Sequence, residues 1–340
     1  MRIIWETGEA LAVEEDGKLV EYIRTEEDGQ SGSILMGRVE RMMSGMECAF
    51  VDIGRKKSGF LPFREMSTTF TGQHLRSGEI VPVQIRREET GEKGAYLTRD
   101  LSIAGKYLLL MPMNRYIGIS RRIGDGEIRS RLLRTGKEIA QDRFGLVLRA
   151  AASQADPRDI REEAENLLAV WAQVQERAAM GGCPGSVLYT ADAREALEAD
   201  YAPRGIDRTE RAEALPPELE RQRREAEGRR IRLPGGGNIV VDRCEAMTVI
   251  DVNTAGARNA GDKETTVLQT NLEACREAAA QIRLRDIGGI ILIDFIDMDL
   301  EKDRSLILDT MQEALLQDRR KTVIHGWTHL GIMEITRKRV

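Results

Sequence analysis

Two apolar runs, each carrying an aspartate near its end, set the strongest limit on the folds open to this chain. The first is AMTVIDVN at residues 246–253, with Asp251, and the second is IILIDFIDM at residues 290–298, with Asp294. Residues 265–286 between them have the spacing of an amphipathic helix, and strand and helix patterns continue to alternate after them. This alternation predicts a layered α/β or α+β fold for the C-terminal part of the chain.

The two aspartates would lie close together if their strands were neighbours, because the ends of neighbouring strands meet at one rim of a sheet. Carboxylates at such a distance repel each other unless a cation lies between them. Oxygen ligands of this kind suit Mg²⁺, which keeps several water ligands and also binds phosphate. Asn253 points to the same face of its strand as Asp251 and could orient a phosphate or a water molecule. The residues alone leave open a plainer interpretation, in which the aspartates are polar strand ends or helix N-caps.

A β pattern of five short strands with glycine-rich corners covers residues 33–98 and is typical of a small barrel such as an OB-fold. Phe50 and Phe60 lie on adjacent predicted strands, and Lys93 stands at the start of the last one. The two rings are either part of the barrel core or a stacking face for the bases of a nucleic acid, with a cation nearby. Residues 1–27 predict a separate meander of short strands.

The most basic segment of the chain lies at residues 118–138, where arginines on short loops would suit contact with phosphate groups. The pattern predicts a helix that ends at Gly145, followed by a strand that ends at Arg149. A second, strongly amphipathic helix is predicted over residues 156–180, because its first two residues, Asp and Pro, are a good helix start.

Composition narrows the class of protein. A chain of 340 residues is too long for one ordinary core, so we expect two or three domains. The net charge of −5 does not favour a general polyanion binder, although local charge matters more than the total. The four cysteines lack a CxxC spacing, which argues against a zinc knuckle and against a disulfide framework. With no signal peptide and no apolar run that could cross a membrane, the sequence predicts a cytoplasmic protein.

Several of these segments together closely resemble the catalytic core of the RNase E/G family of endoribonucleases. The resemblance rests on AMTVIDVNTA and GGIILIDFIDM, with TNLEA and RLRDIGG between them. It continues upstream in GRVERMMSGMECAFVDIGRKKSGFLP, EKGAYLTRDLSIAGKYLLLMP and GISRRI, and it weakens only between about residues 183 and 227. The match is collinear and covers most of the chain.

The resemblance implies an α+β multi-domain architecture in which an OB-fold RNA-binding barrel is inserted in an RNase H-like piece. A DNase I-like α/β catalytic subdomain follows. The implied parts are the first RNase H-like segment at 1–32, the OB-fold domain at 33–100, a 5′-sensor region at 101–182, a second, abbreviated RNase H-like segment at 183–227, and the catalytic subdomain at 228–340.

The implied activity is magnesium-dependent cleavage of single-stranded RNA that leaves 5′-phosphate and 3′-hydroxyl ends, in the processing and turnover of rRNA and mRNA. The metal-holding aspartates of the family correspond to Asp251 and Asp294, and the residue that assists them corresponds to Asn253. The RNA-contacting residues of the barrel correspond to Phe50, Phe60 and Lys93.

The pocket that senses a 5′-monophosphate in the family is matched only in part. Its phosphate- and base-contacting residues correspond to Gly105, Leu109, Arg121 and Arg149. Ala150 stands where the family motif has a threonine, so one hydroxyl donor to the phosphate is missing. Lys321 stands where the family has an arginine that reaches the terminal base; it keeps the charge but not the planar fork.

Zinc is not expected. In the family, a CPxC motif that binds zinc between subunits follows the catalytic part, and this sequence ends at HLGIMEITRKRV, where that link would begin. Cys183-Pro184 lies elsewhere and has no second cysteine. A homodimer is compatible with the sequence, which leaves its arrangement open.

Two other functions are open. One is a non-catalytic family member that only binds RNA through its barrel, against which the intact Asp251, Asn253 and Asp294 argue. The other is a sugar-phosphate or nucleotide hydrolase that uses the same two aspartates, in which an arginine-rich region beside a barrel has no clear role.

Overall fold

The computed structural model describes residues 1–6, 10–24, 31–65, 75–89, 91–206, 208–254 and 263–338. The chain divides into two compact units, which agrees with the two or three domains expected from its length. The first unit comprises Met1–Arg24 and Asp207–Arg339, and the second comprises Thr25–Ile206. The finer division into five parts stays a prediction.

The described residues form an α+β protein, as predicted. The strands are β1 (Arg2–Glu6), β2 (Ala10–Glu15), β3 (Lys18–Arg24), β4 (Ile34–Met43), β5 (Cys48–Asp52), β6 (Gly59–Pro62), β7 (Ile80–Arg87), β8 (Tyr96–Thr98), β9 (Ile103–Ala104), β10 (Leu108–Met111), β11 (Ile117–Ile119), β12 (Gly145–Leu148), β13 (Val187–Tyr189), β14 (Arg208–Ala212), β15 (Arg230–Arg232), β16 (Asn238–Arg243), β17 (Met247–Asn253), β18 (Gly289–Asp294), β19 (Thr322–Trp327) and β20 (Ile332–Arg337). The α-helices are α1 (Gly126–Ala140), α2 (Pro157–Ala179), α3 (Ala193–Tyr201), α4 (Pro217–Glu227), α5 (Lys263–Leu284) and α6 (Glu301–Leu315). In the part of the chain described here, none of these helices combines the length and the apolar character needed to span a bilayer.

The two helices predicted in the middle of the chain both form. Helix α2 begins where the sequence predicts, because Asp156 caps it by accepting a hydrogen bond from the Arg158 N–H at 2.8 Å. The prediction that α1 runs to Gly145 was wrong. That helix ends at Ala140, because Gln141 adopts a left-handed conformation with φ of 46°, which closes the last turn.

A closed five-stranded barrel occupies the first part of the second unit, as predicted, and its form is that expected of an OB-fold. The strand order is β4-β5-β6-β8-β7, and pairing of β4 with β7 closes the ring. Alternate residues fill the interior, among them Val51, Leu61 and Leu97, all fully buried. Strand β13 pairs with β4 and adds a sixth strand to the barrel sheet. Residues 183–227, which the resemblance gives to an RNase H-like piece, therefore contribute one strand to the barrel sheet.

The rest of the second unit is a small sheet covered by helices. Its strand order is β11-β12-β10-β9, and α1 and α2 pack against it. Buried aliphatic side chains such as Leu108, Leu132, Leu146 and Ile160 form the core between these layers. This sheet positions Arg149, which directly follows β12.

The first unit contains two sheets. Strands β1–β3 form the predicted meander, and β14 adds to β1 in parallel, in the order β14-β1-β2-β3. Helix α4 contacts this sheet at β3, and Leu219 of the helix is buried in a small core with Ile4 and Leu19. Residues far apart in the chain are thereby joined in one layer.

The second sheet of this unit has six strands in the order β15-β16-β17-β18-β20-β19. Strands β17 and β18 run parallel, because α5 connects them, and the other pairs are antiparallel. Helices α5 and α6 cover one face of the sheet. The core between these layers includes Ile250 and Val252 of β17 and Ile291 and Ile293 of β18.

A buried ion cluster holds the end of this sheet at which β18 begins. The Arg337 guanidinium donates to both carboxylate oxygens of Asp318, at 2.5 and 3.1 Å, and to Asp286 at 2.8 Å. Asp286 also pairs with Arg320 at 2.6 Å. The Arg337 side chain is fully buried and that of Asp318 nearly so, so each charge depends on its partner to offset the loss of water.

We expect Asp318→Asn to lower the free energy of unfolding by about 3 kcal/mol, because Arg337 would stay buried without its bidentate partner. Glu225→Gln, which breaks an exposed pair with Arg221 on α4, should cost at most about 0.5 kcal/mol. Thermal or urea unfolding would measure both. Equal destabilisation by the two variants would contradict the stabilising role of the buried pair between Asp318 and Arg337.

Asp318→Asn should also alter the pH dependence of the free energy of unfolding. Burial raises the pKa of the Asp318 carboxyl, but hydrogen bonds from Arg337, the Arg320 N–H and the Thr322 hydroxyl outweigh it, so this pKa lies below its ordinary value. A carboxyl with a lowered folded-state pKa stabilises the fold above its unfolded pKa of about 3.9 and loses that contribution as the pH falls through the folded value. The difference between wild type and Asp318→Asn should therefore narrow below about pH 4.

Candidate active site

The two predicted aspartates are direct neighbours on adjacent strands. Strands β17 and β18 pair in parallel, with Asp251 opposite Asp294 at the last position of the paired stretch. Adjacent strands lie about 4.8 Å apart, so the two carboxylates can reach one ion between them. The structure therefore brings together the pair that the sequence could only place on one rim.

Both carboxylates point away from the helices. Ile250 and Val252, which flank Asp251 in β17, are buried against the core, whereas Asp251 and Asp294 are exposed on the opposite face of the sheet. Asn253 lies on the face of Asp251, and its Nδ2 donates to Asp251 Oδ2 at 2.7 Å. This bond fixes the orientation of one carboxylate. Residues 255–262, which follow β17 in the sequence, lie outside the described residues.

A buried asparagine that the sequence analysis did not single out supports the Asp294 side of the site. Asn271 of α5 is fully buried. Its Nδ2 donates to the carbonyl oxygen of Ile296 at 2.8 Å, and its Oδ1 accepts from the Ile296 N–H at 3.1 Å. The segment directly after β18 is thus fastened to the helix. The signal in the sequence was a polar residue on the apolar face of a predicted helix, inside the TNLEA motif.

Glu273, two residues after Asn271, supports the side of the site on which Asn253 lies. Glu273 of α5 accepts a hydrogen bond from the Gly235 N–H at 2.7 Å, in the hairpin between β15 and β16. In the same hairpin, a Cβ on Gly237 would lie only 2.8 Å from the carbonyl oxygen of Asn253. The glycine therefore lets the hairpin pack closely against the end of β17.

The donor set fits a magnesium ion. Over the described ranges, no group of three or more His, Cys, Asp or Glu side chains is arranged to hold a metal. An ion at this rim would thus be held by Asp251 and Asp294, with its other positions left to water and substrate. Mg²⁺ is commonly bound in this way, through one or two carboxylates and phosphate oxygens.

The two predicted phenylalanines of the barrel are also brought together. Phe50 and Phe60 are cross-strand partners on β5 and β6, with ring centroids 6.2 Å apart and ring planes at 68°. Both side chains are half-buried and lie on the outer face of the barrel, because their strand neighbours Val51 and Leu61 fill the interior. The rings are therefore accessible from outside.

Lys93 is exposed and lies three residues before the start of β8. The chain that carries it is held against β6, because the Phe60 N–H donates to the Ala95 carbonyl oxygen at 2.7 Å. A side chain on Gly94 would collide with the carbonyl oxygen of Ser58, so glycine is required for this close approach. These contacts hold the segment directly after Lys93 against the start of β6.

Two of the predicted 5′-sensor residues are in direct contact. Arg149 Nη1 donates to the carbonyl oxygen of Gly105 at 2.5 Å, so these two residues do meet. The other end of the guanidinium is engaged by helix α3, since Nη2 donates to the Ala196 carbonyl oxygen at 3.3 Å and to Asp200 Oδ1 at 3.1 Å. The same Asp200 oxygen lies 3.8 Å from Arg122. A carboxylate of the protein thus lies where two arginines converge.

The remaining residues of this group lie on several different elements. Gly105 leaves room for the carboxylate of Glu163, which accepts hydrogen bonds from three successive backbone N–H groups, those of residues 106–108, at 2.6–2.9 Å. Leu109 is half-buried on β10 and Arg121 is exposed after β11. Lys321 is exposed before β19, in the other unit.

Comparison with known proteins gives a consistent result. The family model described as Ribonuclease E/G family matches residues 102–210 and 216–340. Ribonuclease G of Salmonella typhimurium (strain SL1344) is 33% identical over 376 aligned residues, which cover 95% of this chain and 76% of the relative. Ribonuclease G of Escherichia coli (strain K12) is 32% identical with the same coverage. Ribonuclease E of Synechocystis sp. is 34% identical, over 99% of this chain and 56% of the relative.

The family model covers well over half of the residues, and the relatives align along nearly the whole chain. The matched segments contain β17, β18 and the paired aspartates described above. The motif resemblance and the alignments point to one conclusion: the chain belongs to the ribonuclease E/G family.

Proposed function

We propose that this protein is a magnesium-dependent endoribonuclease that cleaves single-stranded RNA at the rim formed by Asp251 and Asp294. Membership of a family of ribonucleases supports the reaction class. The observation that carries the assignment of the site is the in-register pairing of the two exposed aspartates, with Asn253 bonded to one of them.

Asp251 and Asp294 would hold the ion, and each has a defined support. Asn253 keeps one Asp251 oxygen oriented, while Asn271 fastens the chain that follows Asp294. A magnesium ion at this rim would supply Lewis-acid chemistry, stabilising the charge that develops on the phosphate during hydrolysis. Because the carboxylates lie on the open face of the sheet, an RNA backbone can approach them from solvent. The neutral Asn253 amide adds a donor without repelling the phosphate.

The barrel supports the choice of single-stranded RNA. Phe50 and Phe60 present rings on its outer face, and a base can stack on such a ring only when it is not already stacked in a duplex. Lys93 would contact the backbone phosphates. The expected products carry a 5′-phosphate and a 3′-hydroxyl, and the expected role is in the processing and turnover of rRNA and mRNA.

The two sheets of the first unit would then have different roles. We assign the six-stranded sheet with α5 and α6 to a DNase I-like catalytic subdomain, because it carries both aspartates. We assign the sheet β14-β1-β2-β3 with α4 to the RNase H-like piece, because it joins the start of the chain to the segment after residue 207.

Labelled single-stranded RNA incubated with the full chain in Mg²⁺ or in EDTA tests the proposal directly. Internal cleavage in Mg²⁺ alone is expected, and a product that polynucleotide kinase can label only after phosphatase treatment would identify 5′-phosphate ends. Binding without cleavage in both conditions would instead indicate a non-catalytic RNA-binding protein.

We expect Asp251→Asn to slow cleavage by about a hundredfold or more, because it removes one of two carboxylates that hold the ion and several kcal/mol of transition-state stabilisation with it. RNA affinity should stay the same or rise, because a negative charge near the phosphate is lost. Asp242→Asn is the matched control, since Asp242 lies on the neighbouring strand and pairs with Arg229. A parental cleavage rate in Asp251→Asn would refute the site.

The position of Asp200 leads to a separate prediction about how the protein distinguishes RNA 5′ ends. If Arg149 belongs to a phosphate pocket, Asp200 competes with the phosphate for its guanidinium. Asp200→Asn should then raise the cleavage rate of 5′-monophosphate RNA relative to 5′-hydroxyl RNA severalfold. Glu198→Gln removes a carboxylate from the same helix, where it pairs with Arg194, and should leave the ratio unchanged. A ratio unaltered by Asp200→Asn would exclude Arg149 from 5′-end sensing.

A further inference from the structure

Five side chains form one continuous row across the outer face of the barrel. Arg41 of β4 is the register partner of Phe50, Phe50 of Phe60, Phe60 of Tyr96 on β8, and Tyr96 of Arg87 on β7. Directly opposed residues in a sheet lie on the same face. The two phenylalanines are therefore the first part of a longer row of aromatic residues with an arginine at each end.

Tyr96 is in direct contact with this row. Its ring centroid lies 5.9 Å from that of Phe60, with the ring planes at 46°. The guanidinium carbon of Arg87 lies 4.5 Å from the Tyr96 centroid, over the ring. Arg64 Nη2 donates to the Tyr96 hydroxyl at 3.2 Å. Contacts from three sides thus fix the orientation of the ring.

The barrel core does not need the Tyr96 ring. The next residue, Leu97, is fully buried and fills the interior, whereas Tyr96 is half-exposed on the outside. Arg64 and Arg87 are exposed as well. An oriented, accessible ring with two exposed guanidinium groups is the combination that binds a base by stacking and the adjoining backbone by charge.

We propose that Tyr96, together with Arg87, is a third base-binding position on the barrel, at the far end of the row from Phe50. The base would stack on the exposed part of the Tyr96 ring and on the Arg87 guanidinium, since bases stack on both kinds of surface. Arg64 would donate to a flanking phosphate. This inference rests on the proposed role of the barrel in binding single-stranded RNA, and it lengthens the bound segment by one base.

The test is the affinity of the full chain for a fluorescein-labelled, single-stranded oligouridine, measured by anisotropy in EDTA so that no cleavage occurs. Loss of one stacked base is worth about 1–3 kcal/mol. Tyr96→Ala and Tyr96→Leu should therefore raise Kd at least about fivefold. Tyr96→Phe keeps the ring and should stay within about twofold of wild type. Tyr116→Ala, which removes an exposed tyrosine elsewhere in the same unit, is the control and should have no effect.

A parallel measurement on Phe60→Ala distinguishes failure of the Tyr96 assignment from failure of the RNA-binding role of the barrel. If Phe60→Ala weakens binding but Tyr96→Ala and Tyr96→Leu do not, Tyr96 is not a base-binding residue, and the barrel keeps its RNA-binding role. If none of these variants weakens binding, that role fails, and the inference fails with it. If Tyr96→Phe weakens binding as much as Tyr96→Ala, the hydroxyl group and not the ring is responsible, which overturns the stacking assignment. Circular dichroism establishes that each variant is folded.

Discussion

The parallel pairing of β17 with β18 is the constraint on which the candidate site depends. Residues alternate between the two faces of a strand, so a shift of one residue would turn Asp251 into the core and expose Ile250 and Val252. The contact of those aliphatic side chains with α5 and α6 therefore sets the register. The core thus determines where the carboxylates lie, without touching them.

Helix α5 contributes to the site in two ways. As the connection between β17 and β18 it allows the two strands to run parallel, which places their ends at the same rim. Through Asn271 and Glu273 it also fastens the segment after β18 and the hairpin beside Asn253. Helix α5 thus stabilises the backbone next to both aspartates, through its connection of the two strands and through its two hydrogen-bonding side chains. A buried asparagine of this kind is costly unless its amide is satisfied, and Asn271 meets that condition through the N–H and the carbonyl oxygen of Ile296.

Much of the fold and of the site could be predicted from the sequence, and the failures have physical causes. The sequence predicted the meander, the barrel, α2 and the alternation of strands and helices, because each follows from local periodicity and capping. The end of α1 was not, because a left-handed Gln141 is a tertiary outcome and not a strong sequence signal. Arg149 could be proposed as a phosphate ligand only by resemblance, and its bond to Asp200 on α3 depends on packing between distant segments.

By itself, the sequence determined which residues are candidates for the chemistry: two strand-end aspartates, an asparagine two positions on, and two phenylalanines on adjacent strands. Only the tertiary structure decided that Asp251 lies opposite Asp294, that Asn271 holds the adjoining segment, and that Tyr96 extends the aromatic row. The reason is that a strand's pattern specifies which face each residue occupies, whereas its neighbours and register follow from how the helices and the barrel interior pack.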